Sequence, residues 1–68
     1  MTYREMLVEI FDASKVEYSI TEYSRDKHGD VHVILSFGEF NFDNYGIEYE
    51  SCYRGILYNL IKVGYGIT

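Results

Sequence analysis

The stretch Val31-His32-Val33-Ile34-Leu35-Ser36-Phe37-Gly38-Glu39-Phe40-Asn41-Phe42 decides how this chain folds. Val31, Val33, Leu35 and Phe37 alternate with His32, Ile34 and Ser36, and the apolar parity restarts at Phe40 and Phe42 after Gly38-Glu39. Period-two alternation broken by a Gly-X pair predicts a hairpin with a type II′ turn, Gly38 supplying the positive φ at the first central position. Residues flanking such a turn pair across the ladder and share a face, so Phe37 is expected opposite Phe40 and Leu35 opposite Phe42. One side of the hairpin is then an apolar slab.

Upstream of the hairpin, Val16 to about Tyr23 alternates β-branched and aromatic residues with polar ones and reads as a half-buried strand. The polar segment Ser24 to Asp30, with charges of both signs and Gly29, is a hairpin loop. Three strands therefore form an antiparallel meander with Val31 to Phe37 at its centre. Downstream, Asp43-Asn44-Tyr45-Gly46 is a dense turn signal that ends or bends the third strand.

Both flanks are helical. Thr2 and Glu5 have the spacing of a capping box, and Tyr3, Met6, Leu7, Ile10 and Phe11 fill one helical face to about Ala13. Glu5, Glu9 and Asp12, at i, i+4 and i+7, fall on the opposite face. In the second helix Tyr49, Cys52, Tyr53, Ile56, Leu57, Leu60 and Val63 form the apolar stripe, with Glu50, Ser51, Arg54 and Lys62 turned away and Gly64 as the terminating residue. Gly55 costs about 1 kcal/mol relative to alanine in a helix interior, so it either permits close packing or leaves the helix loose. The expected fold is a two-layer α+β domain, αβββα, spanning residues 1–68. Both helices cover the slab of Val16, Tyr18, Ile20, Val33, Leu35, Phe37, Phe40 and Phe42. Glu17, Thr21, Tyr23, His32, Ile34, Glu39, Asn41 and Asp43 are left for the uncovered sheet face.

The αβββα order resembles that of the double-stranded RNA-binding domain. That resemblance implies a basic cluster gripping phosphates at the start of the last helix. Here the corresponding residues are Glu48-Tyr49-Glu50-Ser51-Cys52, acidic where that family is basic, so RNA binding is not carried over.

Eleven acidic against six basic residues give a net charge of −5, which opposes attraction to phosphate backbones and anionic lipid. The start MTYREMLVEI lacks a signal-peptide pattern and no segment has the length of a membrane span, which with one cysteine points to the cytoplasm. Asp26, His28, Asp30 and His32 alternate as metal ligands can, but ordinary solvation of a polar loop is the stronger reading. Cys52 lies on an apolar stripe and reads as a small core residue, and neither a nucleophile elbow nor a phosphate loop is present. No enzymatic activity and no cofactor are expected.

What remains is surface. Tyr23, Tyr45, Tyr58 and Tyr65 have no inward assignment, and tyrosine is enriched in interface hot spots. Ile34 and Ile61 are expected to face outward, which favours a buried contact such as a homodimer. The leading expectation is a small acidic protein-interaction module that binds a basic protein surface. Its composition resembles that of the inhibitors that bacteriophages and mobile elements deploy against host nucleases and defence proteins. Glu5, Glu9, Asp12, Glu17, Glu39 and Asp43 would supply charge, Tyr23, Ile34 and Tyr45 apolar anchors, and His32 and Asn41 further contacts. The alternative is a homo-oligomer that binds or sequesters a small ligand, with a nucleotide stacked between tyrosines at a dimer interface.

Overall fold

The computed structural model describes residues 1–64, so Tyr65 lies outside the described residues. Its elements are α1 (Tyr3–Ser14), β1 (Ser19–Tyr23), β2 (Val31–Phe37), β3 (Phe40–Gly46) and α2 (Tyr49–Lys62). The chain is thus αβββα, with an antiparallel sheet ordered β1-β2-β3.

Helix α1 starts at its cap. Thr2 Oγ1 accepts the Glu5 amide at 3.1 Å and the Glu5 carboxylate accepts the Thr2 amide at 3.0 Å, which closes the capping box. The helix ends at Lys15, whose φ of 57° is left-handed, with Lys15 N bonded to Asp12 O and Val16 N to Phe11 O. This is a Schellman motif built on lysine rather than glycine, and Val16 at its end packs on the core. Helix α2 ends at Lys62, and Gly64, just past the cap at Val63, takes the positive φ of 81° expected of the terminating glycine.

Pairing in the hairpin follows the alternation. Phe37 faces Phe40 and Leu35 faces Phe42, and the burial of β2 alternates strictly, with its odd-numbered residues buried. Gly38 has φ 56° while Glu39 has no positive φ, the pattern of a type II′ turn.

Three expectations for the strands are corrected. Strand β1 begins at Ser19, not Val16, because the Schellman exit swings Val16 and Tyr18 onto the core before pairing starts. Tyr18 stacks on Phe11 at 5.0 Å. Strand β3 runs through Asp43-Asn44-Tyr45 to Gly46, pairing Val31 with Gly46 and Val33 with Asn44. Phe40 has the inward parity but is 54% exposed, because it flanks the Gly38-Glu39 turn at the tip of the hairpin, at the margin of the helices' cover.

The core joins Leu7 and Phe11 of α1, Val31, Val33, Leu35 and Phe37 of β2, and Cys52, Tyr53, Ile56, Leu57 and Leu60 of α2. Both helices therefore lie on one sheet face, Phe11 meeting Phe37 at 4.8 Å. Glu50, expected to turn away, is half-buried and accepts the Tyr3 amide at 2.6 Å, satisfying an otherwise orphan donor at the start of α1. The Tyr53 hydroxyl donates to Glu22 on the edge strand, and Arg4 Nε lies 3.8 Å from the same carboxylate. Burial first, and then the bond to Glu22, push the Tyr53 phenol well above its ordinary value.

Candidate functional site

Because both helices occupy one side, the opposite sheet face is uncovered, and strand register arranges it in three rows. The first is Tyr23-His32-Tyr45, the second Thr21-Ile34-Asp43 and the third Ser19-Ser36-Asn41. Six of these nine positions, Tyr23, His32, Ile34, Asn41, Asp43 and Tyr45, are among the residues the sequence singles out for partner contact.

The first row is a continuous stack. The His32 ring lies 3.9 Å from that of Tyr45 at an interplanar angle of 9°, and 5.4 Å from that of Tyr23 at 22°. Tyr23 and Tyr45 are 49% and 59% exposed, so apolar ring surface and two hydroxyl groups reach solvent here. His32 Nε2 sits 3.3 Å from Asp43 Oδ2, a contact that helps hold the imidazole parallel to its neighbours. The second row centres on half-buried Ile34. The third is polar, Ser36 donating to Asn41 Oδ1 at 2.6 Å.

Within the three rows charge has one sign. The nine row positions include Asp43 and no lysine or arginine. Glu39, exposed in the turn, and Glu17, beside Ser19, Ser36 and Gly38 in a shallow depression, lie at the polar end. The face thus grades from an aromatic end to an acidic end.

Glu5, Glu9 and Asp12 are exposed on α1, which packs on the other side of the sheet. The residues proposed for partner contact therefore form two surfaces on opposite layers. A single flat partner cannot touch both.

His32 and Asp43 pair, but among the described residues no hydroxyl or thiol hydrogen-bonds to His32 as a nucleophile would. Burial, with the Asp30 charge acting in the same direction, pushes the Cys52 thiol up, and Cys52 Sγ lies 3.7 Å from Val31 O in the core. In the loop, Asp26 Oδ1 accepts the amides of His28 and Asp30 at 2.8 and 3.0 Å, so this carboxylate orders its own turn. No group of three or more metal-ligating side chains converges among the described residues. No helix among them is long and apolar enough to cross a membrane. The slot between Tyr23 and Tyr45, where a nucleobase could stack, is filled by His32.

Two contributors were missed in the sequence. Ile47, one pleat beyond Tyr45, is 71% exposed. Its carbonyl accepts from Arg25 Nη1 at 2.8 Å, and the same guanidinium also bonds Gly29 O, tying the β1–β2 loop to the end of β3. The i+2 spacing from Tyr45 is the signal that could have found Ile47. Comparison with protein-family models, curated proteins and solved structures found no match to this chain.

Proposed function

We propose that this protein is a non-enzymatic interaction module that binds a basic protein surface through the open face of its sheet. The observation that carries this reading is the Tyr23-His32-Tyr45 stack beside Ile34, apolar surface with no helix over it, graded into Asp43, Glu17 and Glu39. Partially exposed tyrosines combine apolar area with a hydroxyl and dominate interface energetics. Carboxylates at the rim raise association rate and select positive partners. In biological form, such a module is an inhibitor that occupies the cationic surface of a nuclease or defence protein, as its composition suggests.

Affinity capture from the native host, run in parallel with wild type and Ile34→Arg, tests the reading. A basic protein should be retained by wild type, released as salt rises and lost with Ile34→Arg. Capture of the same protein by Ile34→Arg, or capture indifferent to salt, would overturn it. Tyr45→Ala should weaken the complex by about 2 kcal/mol or more, the scale of an interface hot spot.

A further inference from the structure

The helical layer carries a second unpartnered surface. Helices α1 and α2 run side by side, joined at one end by the bond from Tyr3 N to Glu50. Between them Met6, Ile10 and Ala13 of α1 and Leu57 of α2 line an open groove of about 670 Å³. The α1 contribution, at i, i+4 and i+7, is a single helical stripe.

One residue back along the same helix runs a second stripe at the same spacing, Glu5, Glu9 and Asp12, all exposed. Glu9 lines the groove itself. The basic residue of α1 before Lys15, Arg4, already lies beside Glu22. The groove is therefore an apolar channel with an acidic wall running about 10 Å, two helical turns, along one side. A second copy of this chain would bring a second acidic wall against the first, each on a molecule of net charge −5. An amphipathic helix with lysine or arginine flanking its apolar face has the complementary pattern.

We propose that the α1–α2 groove receives a cationic amphipathic helix from a partner protein, its apolar residues seated on Met6, Ile10, Ala13 and Leu57 and its cations on Glu5, Glu9 and Asp12. This is helix-in-groove recognition, read out at i, i+4 and i+7. It lies on the layer opposite the Tyr23-His32-Tyr45 face, so occupation of one surface leaves the other open. The molecule is then an adaptor with two docking sites.

The probe is a model Leu–Lys amphipathic peptide of about 14 residues, long enough to hold a helix when bound, with a Leu–Glu peptide of the same pattern as control. Amide NMR shifts should move at Met6, Glu9, Ile10, Ala13 and Leu57 with the Leu–Lys peptide and stay still with Leu–Glu. Glu9→Lys and Ala13→Arg, both at exposed positions that leave the core intact, should each weaken binding at least about tenfold, while Ile34→Arg should leave it unchanged. Absence of binding, equal binding of the Leu–Glu peptide, or shifts centred on Ile34 and Tyr45 would overturn the proposal. So would a wild-type dimer in sedimentation that Ala13→Arg dissolves, which would assign the groove to a second copy.

Discussion

Gly55 of α2 sits directly against Asn44 of β3: a Cβ at position 55 would collide with the Asn44 side-chain amide. That amide donates to Cys52 O at 3.4 Å, and its oxygen accepts the Tyr45 amide at 3.1 Å. One asparagine thus ties the third strand to the second helix. The glycine is what lets the two backbones approach.

Gly55→Ala should therefore destabilise the protein, against the gain of about 1 kcal/mol that helix propensity alone assigns to the change. Overpacking of this kind costs about 1–3 kcal/mol. Denaturant unfolding gives the sign. In Gly55→Ala/Asn44→Ala much of the loss should be recovered, because the colliding amide is gone, and the double-mutant cycle should show coupling between the two sites.

Phe37→Ala and Phe40→Ala should differ sharply although the two residues face each other across the ladder. Phe37 is buried against Phe11 and Phe42, so its truncation should cost about 3–5 kcal/mol, enough to unfold a domain of this size. Phe40 is more than half exposed, and its truncation should cost about 1 kcal/mol or less. Circular dichroism melts of the pair separate these outcomes.

Lys15→Gly should stabilise the protein by about 0.5–1 kcal/mol. The position demands a left-handed backbone, which glycine adopts without the steric penalty lysine carries, and this gain outweighs glycine's greater freedom when unfolded. A rise in the denaturation midpoint with unchanged m-value is the expected readout.

Two groups make stability depend on pH, with opposite signs. The Thr2 backbone amide, and after it the Thr2 hydroxyl, hold the Glu5 carboxyl below its ordinary 4.5. A depressed folded value means the contribution is present above 4.5 and is lost as pH falls through the lowered value. Glu5→Gln should flatten that part of the acid limb. Tyr53 has the opposite sign: its folded value lies above the ordinary 10.0, so its contribution is present below 10.0 and is lost as pH rises beyond it. Tyr53→Phe should cost about 1 kcal/mol near neutrality and should reduce the alkaline loss, followed by tyrosinate absorbance during unfolding.

Local pattern made the hairpin, the capping box and both apolar stripes legible, apart from Val63, which lies past the end of α2 and is exposed, because alternation, turn chemistry and helical spacing all agreed there. Asp43-Asn44-Tyr45-Gly46 misled for a physical reason. Its residues favour turns in isolation, but here Asn44 is consumed by α2, and Tyr45 is held by stacking on His32. Both interactions depend on residues far away in sequence or across the sheet. Parity correctly placed His32, Ile34, Asn41 and Asp43 on the outer face. That His32 would stack between Tyr23 and Tyr45 depended on strand register, and the separation of Glu5, Glu9 and Asp12 from that face required the layer order.

The stack also bears on the thermodynamics of recognition. An exposed tyrosine that becomes fixed only on binding gives up about 0.5–1.5 kcal/mol of rotamer freedom in doing so. Tyr23, His32 and Tyr45 already restrain one another, and Asp43 restrains the imidazole between them. A partner docking on this face would meet three rings whose ordering was completed during folding, and their burial would be converted into affinity with little entropic loss.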